Sequence, residues 1–234
     1  MEWPTVAIAI LTYDRPREIR ETIAALFDFI CYPADKLVWL VGDDGSPGDY
    51  LEKIDQDYKE LDITFVTTNR KGWGANANNL LKRAFQKADY VFFTEDDYKA
   101  LRKVDLCSGV AILESTPEIG MVRYDGVAGH PLTISLCEAK TRMGTLQYGR
   151  INKDSPHLNI YSNRPHLFTR AFLQSYGSYA ERKTLGATEE NYAHRVKGQE
   201  GPEVAILPTG WEVGFDHIGV SRQGTKEDPW QKTT

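Results

Sequence analysis

Cysteine is scarce: Cys31, Cys107 and Cys137 are the only three in 234 residues. An odd number, widely spaced and with no CxxC pair, argues against a disulfide framework and against a structural zinc site. All three read as reduced, mostly buried thiols. A basic surplus is also lacking. There are 28 Lys and Arg against 33 Asp and Glu, a formal net charge of −5, whereas proteins that coat phosphate backbones carry an excess of cations. No apolar run approaches the roughly 20 residues that cross a bilayer, so no transmembrane segment is expected. The opening Met-Glu-Trp-Pro-Thr has neither a basic region nor a long apolar one behind it, so no secretory signal is expected and a cytoplasmic location is.

What is present is ordinary globular composition, 41% hydrophobic and 26% charged, in a chain long enough to bury a core. The first half alternates two periods. Short apolar runs at Val6 to Thr12, Leu37 to Val41, Ile63 to Thr67 and Tyr90 to Phe93 suit strands buried on both faces. Between them Arg15 to Asp28, Leu51 to Leu61 and Asn76 to Lys87 carry helical spacing, and Pro16 fits a first helical turn. The alternation predicts an α/β fold with a mainly parallel central sheet and right-handed crossovers. Ligands collect beyond the carboxyl ends of such strands. The turns there are Thr12-Tyr13-Asp14-Arg15, Asp43-Asp44-Gly45-Ser46, Asn69-Arg70-Lys71-Gly72 and Glu95-Asp96-Asp97, and all four are expected to open on one side.

The second half is less regular. Helices are expected at Val104 to Glu114 and Glu189 to Val196. Strands are expected at Gly120 to Tyr124, near Leu132 to Leu136 and Thr145 to Tyr148, at Val204 to Leu207 and at Val213 to Phe215. No linker interrupts the chain, so residues 1–234 read as one domain. About 1–100 form one half, about 101–224 the other, and 225–234 a mobile tail.

Three consecutive acids, Glu95, Asp96 and Asp97, repel one another at the end of a buried strand. A divalent cation answers that repulsion, because hard cations take carboxylate oxygens and share phosphate oxygens with a ligand. Alone, the run is as well explained as a solvated turn or a helix N-terminal cap. Its place after the fourth strand, level with three other polar turns, favours a site.

Four segments carry a resemblance. Val6 to Arg15, Val41-Gly42-Asp43-Asp44-Gly45-Ser46, Gly72-Trp73-Gly74-Ala75-Asn76-Ala77-Asn78 and Thr94-Glu95-Asp96-Asp97 resemble the opening strand, the second-strand signature, the Gly-rich segment and the DxD-type metal motif of the family 2 glycosyltransferases. The resemblance implies the GT-A fold, a nucleotide-diphospho-sugar transferase sandwich of Rossmann-like type. It implies a nucleotide-sugar donor, of which a UDP-sugar is expected, and Mn²⁺ or Mg²⁺. Asp44 would accept from a pyrimidine N–H, with Thr12 and Asp14 near the same base. Glu95 and Asp96 would flank the ribose and diphosphate, Asp97 would ligate the metal, and Arg70 and Lys71 would reach the diphosphate. Gly72 and Asn78 complete the expected donor set. The plainer readings stand beside these: Asp-Gly is a turn pair, the glycines serve turn geometry and Asn76 caps a helix. Trp73 stacks near the substrate or packs in the core.

Displacement at an anomeric carbon needs a base for the acceptor's proton. Gly186 to Arg195 resembles the family's helix that begins with Glu-Asp and ends with Arg. Here the acids are Glu189 and Glu190. Motif register favours Glu190, and capping by Thr188 with dipole complementation explains the same residues without catalysis. In Phe215-Asp216-His217-Ile218-Gly219, His217 resembles the late His that many GT-A enzymes place on the metal. Arg222, in Ser221-Arg222-Gln223, would belong to a lid over the diphosphate. Tyr161 to Phe168 reads as a loop facing an acceptor or leading into an element near Phe172. The acceptor has no motif: a glycan, a lipid-linked sugar, a protein side chain or a modified nucleobase all fit. An inverting transferase is the expectation. A nucleotidyltransferase is the enzymatic alternative, although Tyr13-Asp14-Arg15-Pro16 lacks the glycines of its phosphate loop. A non-catalytic relative that binds a sugar nucleotide is the other.

Overall fold

A computed structural model describes residues 2–124, 132–208 and 214–219. In chain order the elements are β1 (Val6–Thr12), α1 (Pro16–Phe29), β2 (Ile30–Cys31), β3 (Leu37–Asp43), α2 (Tyr50–Asp57), β4 (Thr64–Thr67), α3 (Trp73–Lys87), β5 (Tyr90–Glu95), β6 (Tyr98–Ala100), β7 (Val104–Asp105), α4 (Leu106–Ser115), β8 (Ile119–Arg123), β9 (Ile134–Thr141), β10 (Gly144–Ile151), β11 (His166–Thr169), α5 (Arg170–Tyr176), α6 (Leu185–Gly198), β12 (Glu203–Ile206) and β13 (Phe215–His217). Arg222, the rest of the expected lid, Val213 and the tail lie outside the described residues.

One nine-stranded sheet runs β4-β3-β1-β5-β11-β8-β12-β10-β9. β1 explains its own central place. All seven of its residues are buried. Val6, Ile8 and Ile10 enter the core on one face, while Ala7, Ala9 and Leu11 enter the core on the other, as the period-2 pleat requires. The strands β4, β3, β1 and β5 are parallel throughout. That half matches the expectation from sequence. Beyond β5 the sheet is mixed: β11 is antiparallel to both β5 and β8, and β9 and β10 form an antiparallel hairpin.

Register aligns the turns. Thr12 pairs with Asp43, Leu11 with Glu95 and Asp43 with Thr67. The four polar turns therefore leave the sheet along one edge. Two small sheets bring distant segments to that frame. β13 runs antiparallel to β6 and sets His217 opposite Tyr98, while β2 runs parallel to β7 and sets Cys31 opposite Asp105.

Several boundaries differ from expectation for physical reasons. α3 begins at Trp73, with Gly72 as its N-cap at φ 86, so Asn76 is not the cap. It is buried and donates to the Gly42 carbonyl at 2.9 Å. α6 begins four residues before Glu189, because the Thr184 side chain accepts from Ala187 N. Thr188 therefore does not cap it; its hydroxyl donates to the Ala180 carbonyl. His166–Thr169, expected to belong to a loop or its exit, is the strand that joins β5 to β8.

Candidate active site

Thr12, at the end of β1, starts the site. Its hydroxyl donates to Asp96 Oδ2 at 2.7 Å and meets the Tyr50 hydroxyl. The backbone of Asp96 is pinned on both sides, with its N–H on the Leu11 carbonyl and its carbonyl accepting from Thr22 Oγ1 at 2.7 Å. Arg15, at the head of α1, reaches back so that one guanidinium nitrogen bridges Asp96, at 3.1 Å, and Asp97. That cation supplies part of the charge balance that the acids need. Burial nevertheless dominates at Asp96, whose carboxyl is pushed up to about 7 against the pull of Arg15 and Thr12. Glu95 is raised well above the ordinary carboxylate range by burial, then by the charges of Asp97, Asp96 and Glu189.

Asp97 is the focus. It is 2% exposed. Its Oδ2 faces His217 Nε2 at 3.2 Å as well as Arg15. Its Oδ1 is buried and has no hydrogen-bond partner among the described residues. Ile218 N–H donates to the Asp97 carbonyl at 2.9 Å, and a Cβ at Gly219 would run into the Asp97 carboxylate. The segment after β13 is thus fitted against the acidic turn, with the half-exposed imidazole of His217 tilted on Tyr98. A carboxylate oxygen lacking a partner beside an accessible imidazole is a donor set that suits a divalent cation such as Mn²⁺.

Asp44 does something other than wait for a base. Its carboxylate accepts from Thr68 Oγ1 at 2.6 Å, Lys71 N at 2.8 Å and Gly72 N at 2.8 Å. It holds the whole loop from β4 to α3 in place. A carboxylate offers about four acceptor positions, so one remains. Asp43 closes its own turn by accepting from Gly45 N and Ser46 N. Asp14 sits at φ 48 with its N–H on Ser46 Oγ. Arg70, expected at a diphosphate, lies over the Tyr13 ring at 4.0 Å. Lys71 is exposed, on the wall of an open cleft of about 570 Å³ that also touches Asn69, Lys82 and Glu181.

Asn78 is spent on structure. Its amide exchanges hydrogen bonds with the backbone of Tyr179, at 3.0 and 2.9 Å, and donates to Glu181. This corrects its expected place in the donor set: it ties α3 to the chain that leads into α6. Gly74 serves the same contact, since a Cβ there would strike the Ala180 carbonyl. Trp73 packs edge-on against Phe93 and Tyr179. Arg195 donates to the carbonyls of Tyr176 and Ser178.

The two glutamates part company on α6. Glu189 turns inward. It accepts from Ser162 Oγ at 3.1 Å and Asn163 N at 2.9 Å, and its charge is felt at Glu95 and Tyr98. Glu190 turns to solvent with its side chain 67% exposed, beside His194 at 3.8 Å. Of the two, Glu189 faces the site, while Glu190, which motif register favours, faces solvent. Residues the sequence did not single out complete the site: Arg15, Tyr50 and Thr22 behind Asp96, and Ser162 with Asn163 behind Glu189. Arg15 had a signal as a cation in the first polar turn, and Ser162 and Asn163 belong to the stretch Tyr161 to Phe168 read as facing an acceptor.

The model of glycosyl transferase family 2 matches residues 7–177. A mannosyltransferase from Pyrobaculum calidifontis, solved with GDP-Man and Mn²⁺, superposes with a TM-score of 0.63 at 17% identity over 94% of this chain and 58% of its own. TarS 1–349 of S. aureus in complex with UDP-GlcNAc gives 0.62 at 16% identity, over 92% of this chain and 60% of its own. GalNAc-T7 with UDP, GalNAc and Mn²⁺ gives 0.62 at 13% identity, over 88% and 43%. This chain spans about three fifths or less of the length of these structures. At such identities the likeness shows the fold, GT-A. No curated protein sequence matches the chain.

Proposed function

The chain belongs to glycosyl transferase family 2, and from that premise we propose that it moves a sugar from a nucleoside-diphosphate donor, a UDP-sugar, to an acceptor hydroxyl with inversion. The observation that carries the reading is the meeting of Asp97, in the turn after β5, with His217, from a strand more than a hundred residues later, beside a buried carboxylate oxygen that has no hydrogen-bond partner among the described residues.

In this reading Asp97 and His217 hold Mn²⁺ or Mg²⁺, which when bound neutralises charge on the diphosphate leaving group as a Lewis acid. Arg15 supplies a second, fixed positive charge at the same acids. Thr12 and Tyr50 orient Asp96. Asp44 sets the loop of Arg70, Lys71 and Gly72 and keeps one acceptor position for a pyrimidine N–H, beside Asp14. Glu189, oriented by Ser162 and Asn163, takes the proton of the acceptor hydroxyl as the bond to the anomeric carbon forms. Glu95, raised by burial and by the neighbouring acids, completes the acidic turn on the side that feels Glu189.

The test is a thermal-shift series of UDP- and GDP-sugars with and without Mn²⁺, followed by detection of released nucleoside diphosphate. A ligand that binds only the native state raises its stability, by about 2.7 kcal/mol at a hundredfold excess over Kd. Stabilisation by a UDP-sugar that requires Mn²⁺, with UDP released on turnover, is the expected result. Stabilisation that ignores the metal, or release of pyrophosphate, overturns the reading.

A further inference from the structure

Cys31 and Cys107 are far apart in sequence, yet the fold brings them together on the side of α1 away from its Arg15 end. The parallel pairing of β2 with β7 sets Cys31 in register with Asp105, and Cys107 follows two residues later in the first turn of α4. A thiol sulfur of each cysteine and a carboxylate oxygen of Asp105 lie within 4.8 Å of one another. Both cysteines are partly exposed, so small oxidants reach them.

The three groups have the composition of a metal site, and the hydrogen bonds argue against one. Asp105 accepts from Ser108 N at 3.1 Å and Ser108 Oγ at 3.0 Å as the N-cap of α4, and from Lys103 Nζ at 3.3 Å. Three donors hold the carboxylate, and one of them is an ammonium whose charge opposes a bound cation. That leaves two thiols and a cation, because Lys103 also contacts Cys31. The thiolate is the nucleophile in disulfide exchange. Burial pushes the Cys107 thiol up to about 11, which disfavours Cys107 as the first nucleophile, so the first attack is assigned to Cys31.

We propose that Cys31 and Cys107 form a reversible disulfide, driven by a small-molecule disulfide of the glutathione class. The Cys31 thiolate attacks that disulfide, forming a mixed disulfide and expelling one thiolate. Cys107 then gives up its proton, attacks the Cys31 sulfur and expels the second thiolate. Two protein thiols are oxidised to one disulfide, and one small disulfide is reduced to two thiols. The bond would enclose β3 to β7 in a covalent loop, including the Asp44 loop and the acidic turn.

The experiment incubates the intact chain with glutathione disulfide, then blocks remaining thiols and maps peptides by mass spectrometry. The expected product has lost two hydrogen atoms, links the peptides of Cys31 and Cys107, leaves Cys137 alkylated and reverts with dithiothreitol. Cys137→Ser keeps the link. Cys31→Ser loses it without accumulating the mixed disulfide, while Cys107→Ser accumulates a glutathione adduct at Cys31. Three alkylatable thiols after oxidation, a stable glutathione adduct on the unsubstituted chain, or protection of both thiols by co-purified zinc each overturn the proposal. Melting profiles of the variants establish that each is folded when tested.

Discussion

Glu189→Gln removes a proton acceptor while keeping a side chain of the same shape. The amide oxygen still accepts from Asn163 N or Ser162 Oγ, which reach Glu189 Oε1 at 2.9 and 3.1 Å. Charge-assisted bonds weaken to neutral ones, a loss of about 1 kcal/mol, and relief of the repulsion with Glu95 offsets part of it. Stability and donor affinity should therefore stay near those of the unsubstituted chain. The rate should not: a positioned general base contributes about 10²–10⁴-fold, or about 3–5 kcal/mol of barrier. Glu190→Gln is the matched control. That side chain is 67% exposed and its ion-pair partner among the described residues is His194 at 3.8 Å, a type of pair that contributes about 0.3–0.5 kcal/mol in a helix. Initial rates of nucleoside-diphosphate release at saturating donor, with melting curves for both variants, separate the two. A Glu190→Gln enzyme slowed a hundredfold beside a fully active Glu189→Gln enzyme would refute the assignment of the base.

Four further outcomes are expected. Asp97→Asn should abolish the Mn²⁺-dependent part of donor stabilisation in thermal-shift measurements while the metal-free melting point stays within a few degrees, because Arg15 keeps Asp96 as a partner. Asp44→Ala removes three acceptor contacts from the loop after β4; at about 1 kcal/mol each it should cost about 2–4 kcal/mol in urea unfolding and weaken donor binding. Gly74→Ala should cost about 1–3 kcal/mol by overpacking, since its Cβ meets the Ala180 carbonyl, and hydrogen exchange should rise around Tyr179. His166 is buried and its imidazole is lowered to about 3, below the usual value near 6.5 in an unfolded chain. The unfolded chain thus binds the extra proton first, and stability should fall as pH drops below 6.5, by about 2–3 kcal/mol at pH 4.5; a His166→Gln chain whose stability falls just as far over that range would contradict the assignment.

The parallel half of the sheet was legible because each strand is a contiguous apolar run closed by a polar turn, and pairing in a βαβ series follows from chain order. β11 was not. It is four residues, His166–Thr169, set in a polar stretch, and it becomes central only through its partners on both sides. The choice between the glutamates lay in the sequence but in a different signal. Tyr192, Ala193 and Val196 are the buried positions of α6, and Glu189 shares their face by helical spacing, whereas Glu190 aligns with His194 and Lys197. Helical phase separates the inward glutamate from the outward one, which motif register does not. Asn78 could not have been placed, since its partners lie 101 and 103 residues away. Asp44 shows a third case: the residue was recognisable, but its occupation by three donors depends on a loop whose path no local pattern fixes.

A continuous sheet restricts how such a molecule can move. β5, which carries the acidic turn, is hydrogen-bonded to β1 on one side and to β11 on the other. The two halves therefore share a ladder of backbone bonds where a hinge would have to lie. Clamshell closure of one half on the other would shear that ladder, so enclosing a substrate falls to connecting segments above a stationary floor. The distance between the acids at the end of β5 and the glutamate on α6 is then a fixed gauge, set by the fold before any substrate arrives.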